Sequence, residues 1–531
     1  MSGSLLKDEA AGRSASTAPQ PRADAGFAEP VAILLTVVLA DVTVFRGHGY
    51  TGLAVFLLGV PWLLYLGKKR PSIRLPLWIV GAMLLVLAAR LVWYGSPLQV
   101  AVGLVVVLAF ATTLDGQSPL LLNVLTMGSQ VIVAGFVAFA EYANRLQRVG
   151  SRLHRAGMLN VVLPAVAFLV FGLLFVLANP DAVSFVGRHL EALVNRLSEW
   201  AVRMALRPTE PLFWIGVALV MAGLLRPVWR LSALPLFATS VAADRPAEAP
   251  LYAAFRNTLA TAIGLFAVYL AYEFFALWTR EFPEGFYYSG YAHEGAAWLT
   301  VALALATLIL SVVFSGPILN DPRLPRLRLL AWIWSLQNLL LSLSVYNRLF
   351  IYIDFNGMTR MRIVGLFGIS VVVVGFLLVV WKIARGNDFP WLVHRQMWAL
   401  GVAVFFFAII PVDGLAAGYN VRRILEGDLS ASMQIGVHKL DLEGTLALRP
   451  LLDAPTEEIR EGVAALIAKR YLELRGDHQR RQRAGWTAQQ LSDEFALARF
   501  EAVRDRWEPY EDVAKRKVAI QRLYDFAYQW Y

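Results

Sequence analysis

From Val31 to Pro411 the chain is dominated by continuous apolar runs, not alternating ones. Each is close to the ~20 residues that carry a helix across a ~30 Å hydrocarbon core. A helix also satisfies its own backbone hydrogen bonds where lipid offers none. The runs cover Val31 to Phe45, Thr51 to Leu66, Leu75 to Tyr94, Pro97 to Leu114, Pro119 to Ala140, Met158 to Ala178, Pro211 to Leu231, Thr258 to Trp278, Ala296 to Phe314, Leu327 to Tyr352, Ile363 to Trp381 and Gln396 to Pro411. By length they predict about 12 crossings. After the sixth run, Val186, Leu190, Leu193, Val194, Leu197, Trp200 and Met204 recur at helical spacing, which predicts an amphipathic interfacial helix over residues 182–206.

Beyond Pro411 the pattern changes. Residues 414–531 lose the long apolar runs and mix their charges, predicting a small, mostly helical soluble domain. Thr456 is expected to open a helix through Ile459, Val463, Ile467 and Tyr471. Trp486, Thr487, Gln490 and Leu491 read as a capping box with a hydrophobic staple at the start of another. Residues 1–29, rich in Ala, Ser, Pro and mixed charge, are expected to form a disordered tail. The predicted fold class is therefore all-α: a polytopic transmembrane bundle over residues 30–413, followed by the domain at 414–531.

Composition supports this reading, with 57% hydrophobic and only 17% charged residues, where ordinary chains carry about 25% charged. Cysteine is absent, which excludes disulfides, thiolate metal sites and cysteine nucleophiles. The net charge of +10 is dispersed among loops between spans, so it reads as a topology signal and not as a nucleic-acid surface. Arg226, Arg230, Arg245 and Arg256, then Arg323, Arg326 and Arg328, then Lys382, Arg385 and Arg395 fall on alternate loops. The positive-inside rule places those loops in the cytoplasm and Glu284, Asp354 and the C-terminus outside. In the N-terminal half, Lys68, Lys69, Arg70 and Arg74 fall on the opposite parity from Arg145, Arg148, Arg152 and Arg155, which leaves that half's orientation open.

Gly47, Gly49 and Gly52 match GxGxxG, but they sit in a short turn between two apolar runs with no βαβ unit around them. The seven histidines are scattered, so neither a metal nor a cofactor is expected. The chemistry-bearing groups instead gather at the ends of spans. Glu273 lies one turn inside its run. The loop over residues 281–295 adds Glu284, His293 and Glu294, with Ser289 as a candidate cap for the next helix. The stretch from Ser342 to Arg362 carries Arg348, Tyr352, Asp354, Arg360 and Arg362, and Asn420 follows with Asp413, Arg422 and Arg423. Charged groups at membrane depth need a partner or water, and they mark candidate sites. Arg348 and Asp354, six residues apart, face different sides of a helix, so Glu273 or Glu284 is the expected partner of Arg348. Asn356 and Gly357 are expected to turn the chain, and Thr359 to cap the next helix.

Three segments carry a resemblance: Pro283, Glu284, Gly285 and Tyr291; Arg348, Tyr352, Gly357, Thr359 and Arg362; and Tyr419 with Asn420. Over roughly residues 250–450 the chain resembles a bacterial multi-pass membrane family known only as domain of unknown function forty-one seventy-three, related to forty-one fifty-three. The resemblance implies a polytopic fold in the bacterial cytoplasmic membrane and no particular activity. Three function classes follow from the residues. The first is transport or permeation of a small solute or lipid-related molecule through a polar intramembrane site. The second is an enzyme acting on lipid-linked envelope precursors, with Glu284, His293 and Glu294 as acid and base and Arg348 or Arg360 holding a phosphate. The third is a scaffold or sensor whose C-terminal domain meets an envelope protein. The expected partners are the lipid bilayer and that envelope protein, with no nucleic acid.

Overall fold

The computed structural model describes residues 27–149, 207, 209–227, 249–275, 288–387 and 389–530. The span expected at 158–178, the interfacial helix at 182–206 and most of the N-terminal tail lie outside them. The described residues are helical with no strand. Ten of their helices are long and apolar enough to cross a membrane, and the chain is a polytopic helical membrane protein.

In chain order the bundle holds α1 (Ala28–Ala40, continued by a π-helical turn at Asp41–Phe45), α2 (Tyr50–Gly67), α3 (Leu75–Tyr94), α4 (Pro97–Leu114) and α5 (Leu121–Val149). The shorter apolar α6 (Glu210–Leu225) follows, then α7 (Tyr252–Glu273), α8 (Tyr288–Val313), α9 (Leu324–Asn356), α10 (Arg360–Arg385) and α11 (Phe389–Ile409). Ser289 is itself helical and preceded by helical Tyr288, so it is not the cap of α8. The 33 residues of α9 measure about 50 Å along the axis, more than a ~30 Å core needs. Its last turns accordingly reach the C-terminal layer, where Arg423 Nη1 donates to Ile353 O at 3.0 Å.

Two anchors hold α7 and α9 parallel. At their starts Ala249 N donates to Asp321 Oδ2 (2.7 Å), and the Arg323 guanidinium lies 4.2 Å from the Tyr252 ring centre. At their ends Glu273 meets Arg348. Between them α8 and α10 return, and buried Lys382 donates through Nζ to Phe314 O (2.9 Å), closing the carbonyl end of α8.

The C-terminal layer contains α12 (Val412–Leu425), α13 (Ser432–Gly436), α14 (Leu442–Ala447), α15 (Glu457–Ala484), α16 (Leu491–Glu501), α17 (Arg504–Trp507) and α18 (Val513–Tyr528). Its core gathers Ile459, Val463, Ile467, Tyr471, Phe500, Trp507 and Leu523. It caps one end of the bundle and touches both halves of it. Glu443 accepts from Arg90 Nη1 (2.5 Å) and Trp93 Nε1 (3.0 Å). Gln490 accepts from Gly95 N (2.6 Å) and donates to Leu91 O (2.9 Å), and Thr487 Oγ1 accepts from His48 N (3.2 Å).

These contacts overturn the expected capping box. Trp486–Ala488 is a 3-10 turn, and α16 starts at Leu491 without a side-chain cap. A cap contributes about 1 kcal/mol, whereas here Thr487 and Gln490 satisfy polar backbone at the ends of α2 and α3. Two of the three glycines find their reason at the same seam. A Cβ on Gly49 would lie 2.7 Å from Ala488 Cα and one on Gly52 3.0 Å from Thr487 Cβ, so both let the cap approach the α1–α2 turn. The atoms nearest a Cβ on Gly47 belong instead to Thr43 and Val44 of its own turn.

Because the cap binds the α1–α2 and α3–α4 turns as well as the α9–α10 turn, the intervening loops share the opposite end. Lys68, Lys69, Arg70 and Arg74 thus stand at the same end as Arg323, Arg326, Lys382 and Arg385, with Ser72 N bonded to Leu114 O at 3.0 Å.

Candidate functional site

Two polar clusters lie near the capped end. The first joins Glu273 of α7 to Arg348 of α9, at 1% and 2% exposure. Arg348 Nε donates to Glu273 Oε1 (2.7 Å) and Nη2 to Oε2; Ser344 Oγ and Tyr269 Oη (2.9 Å) supply two more donors to the same carboxylate. Gly295 of α8 packs directly on the guanidinium, where a Cβ would collide with Nη1. Four donors on one carboxylate leave it little capacity for a ligand, so this is a closed ion pair.

The second cluster is open. After Asn356 the chain turns at Gly357 (φ 75°), and Thr359 Oγ1 accepts from Arg362 N to start α10. Asn420 of α12 grips the turn with both ends of its amide: Oδ1 accepts from Met358 N (2.7 Å) and Nδ2 donates to Met358 O (2.8 Å). Gln434 donates to Asn356 O. Arg362 donates to the carbonyls of Asn356 (2.8 Å) and Gly357, and stacks 4.0 Å from the Tyr352 ring centre. No carboxylate pairs with Arg362 among the described residues. Arg360 makes a forked pair with buried Asp413, at 2.8 and 2.5 Å. Asp413 also accepts from Asp441 N (3.2 Å), and Asp441 caps α14 by accepting from Gly444 N (2.8 Å). Burial pushes the Asp441 carboxyl above its ordinary range; the Gly444 N–H opposes this, Asp413 and Glu443 add to it, and Arg360 opposes it.

Between the bundle end and the cap these residues enclose a cavity of about 960 Å³. Its wall presents four cations, Arg360, Arg362, Lys439 and Arg470, against two carboxylates, Asp413 and Asp441. Tyr352, Met358, Met433 and Trp530 supply apolar surface. Two wall groups, Arg470 Nε and Gln434 Oε1, are buried without a protein partner, a state that buried polar atoms rarely keep.

Of the residues singled out from sequence, the structure brings Tyr352, Arg360, Arg362 and Asn420 to this cavity and Glu273 and Arg348 to the closed pair. Asp354 is exposed and joins neither. Glu284 and the side chains of His293 and Glu294 lie outside the described residues. Sequence reasoning passed over Gln434, Lys439, Asp441 and Arg470. Gln434 carried a signal, an amide set between apolar Met433 and Ile435, all three buried. No group of residues arranged to hold a metal occurs among the described residues.

A family model described as "Domain of unknown function (DUF4153)" matches residues 52–448, well over half of the chain. The matched region includes the closed pair and every cavity residue named above except Arg470 and Trp530. No curated protein and no solved structure matches the chain.

Proposed function

The chain belongs to the membrane family of unknown function DUF4153, and from that premise we propose that it binds an anionic small solute or lipid-related molecule in the cavity under its cap. The ligand would be held there as part of transport or permeation. The observation that carries this reading is the cavity wall, with four cations facing two carboxylates and unpartnered Gln434 Oε1 and Arg470 Nε beside them. Guanidinium forks suit phosphate or carboxylate oxygens, and Arg362, set against carbonyls and Tyr352, has no carboxylate partner among the described residues. The test is mass spectrometry of small molecules that co-purify with the protein. Wild type is expected to carry an anionic species that Arg362→Gln and Lys439→Gln lose; equal content in all three would overturn the reading.

The reading extends to location. Basic loops at the uncapped end, Lys68 to Arg74 and Lys382 to Arg385 among them, support a cytoplasmic placement of that end by the positive-inside rule. The cap would then be an extracytoplasmic domain at a bacterial cytoplasmic membrane, where it could meet an envelope protein. A reporter fused after Tyr531 and active only in the cytoplasm would reverse this orientation.

A further inference from the structure

At the uncapped end, α10 and α11 form a hairpin through Gly386, whose φ of 68° turns the chain. A groove of about 680 Å³ opens between the two helices toward the outside of the bundle. Its mouth is cationic and aromatic. The Arg385 guanidinium lies 5.2 Å from the Trp381 ring centre and that of Arg395 5.8 Å from the Trp391 ring centre. Trp398 adds a third indole to the wall. Neither arginine pairs with a carboxylate among the described residues. Cation–π contacts at these distances hold each guanidinium near an indole, and a guanidinium without a carboxylate can offer its N–H fork to a phosphate.

Below the mouth the groove becomes apolar, along Leu378 and Val374. From Arg385 to Val374 along the helix is about 16 Å, close to half of a ~30 Å hydrocarbon core. Trp381, Trp398 and Val374 are 54%, 48% and 42% exposed, so the groove opens on the outer surface of two apolar spans, where lipid would lie, and it shares no wall residue with the cavity under the cap. Indoles at the interface mark headgroup level, and a basic pocket between spans at that level fits an anionic headgroup.

We propose that this groove is a binding site for an anionic phospholipid. The phosphate would lie between Arg385 and Arg395, with the glycerol against Trp391 and Trp398 and one acyl chain along Leu378 and Val374. A soluble phosphate would use only the mouth, whereas a phospholipid also uses the apolar floor that runs half a bilayer deep. This site stands apart from the capped-end cavity and does not depend on the function proposed for it.

The experiment is native mass spectrometry of the full-length protein in detergent with equal amounts of phosphatidylglycerol and phosphatidylcholine of matched chains. Wild type should retain the anionic lipid over the zwitterionic one on the order of tenfold. Arg385→Gln combined with Arg395→Gln should abolish that preference, and Arg385→Lys combined with Arg395→Lys should keep part of it. Equal retention of the two lipids by wild type, or an unchanged preference in the Gln pair, would overturn the proposal. So would displacement of phosphatidylglycerol by free glycerol phosphate. Wild type also supplies a readout that needs no variant: phosphatidylglycerol with a photoreactive acyl chain should label the segment 374–399. Labelling confined to other segments would also overturn it.

Discussion

Arg348 and Arg362 stand on successive helices of one hairpin, each beside tyrosine and polar groups, yet they are used in opposite ways. Arg348 is enclosed by α7, α8 and α9 and meets a carboxylate that also receives Ser344 and Tyr269. Arg362 meets two carbonyls and Tyr352, with no carboxylate partner among the described residues, on the wall of a cavity that holds more cations than anions. The difference shows that a charge near the membrane is not a site by itself. A site also needs unfilled bonding capacity and room beside it. The closed pair sets the register of three helices, and the open cluster has capacity left for a ligand.

The strongest way to test this contrast is to break the closed pair. Arg348→Ala leaves Glu273 buried without its cation and is expected to cost about 3–5 kcal/mol, read as a lower thermal midpoint in detergent. Combining Glu273→Gln with Arg348→Met should recover most of that loss, and the double variant should keep the co-purifying anion. Loss of the anion from a stable double variant would make the pair part of the binding site and end the contrast.

A smaller effect is expected at the turn that shapes the open cluster. Asn420→Ala leaves the Met358 N–H and carbonyl unpaired, a loss of about 1–3 kcal/mol, and should lower ligand content together with the melting temperature. Gly357→Ala attacks the same turn through its positive φ and a Cβ only 2.7 Å from Asn420 Oδ1, at about 1–3 kcal/mol for the strain. Hydrogen exchange across residues 353–362 should rise in both variants while exchange around Glu273 stays unchanged. Equal loosening of the two regions would mean that they are one cooperative unit.

The smallest expected effect is a pH dependence. The Asp441 carboxyl is raised by burial, then by Asp413 and Glu443. A raised carboxyl favours the protonated folded form, so its contribution to stability grows as pH falls from neutrality through the raised value. That contribution is complete below the unfolded value of about 3.9. Protonation also removes one negative charge from the cavity wall, so anion binding should strengthen over the same interval. Asp441→Asn should flatten both profiles between neutrality and mild acid. A stability profile as steep in the variant as in wild type would assign the dependence to another group.

Much of this was legible along the chain. Continuous apolar runs announce helices because hydropathy and backbone satisfaction are local demands, and α2, α3, α4 and α10 lie close to where those runs place them. Helical phase directed Arg348 away from Asp354 and toward the hairpin that holds Glu273. The turn at Asn356 and Gly357 and the cap by Thr359 were legible from residue type alone. Thr487 and Gln490 misled for the opposite reason: a spacing that suits a capping box also suits docking, and the choice depended on the ends of α2 and α3, some four hundred residues earlier in the chain. Lys439 and Arg470 were silent because each is an ordinary basic residue until the fold sets it on the same cavity wall as Arg362.

What the sequence alone determined was the class of molecule: a helical, many-crossing membrane protein with a charge-mixed C-terminal layer. These properties follow from composition and short-range periodicity, which need no knowledge of neighbours. Only the tertiary structure decided which charges are spent on each other and which remain free. It also set the basic loop after α2 at the same end, opposite the cap, as those before α9 and after α10. Ion pairing and cavity formation depend on distances between residues far apart in the chain, and a hydrophobic pattern says which groups are buried without saying beside what.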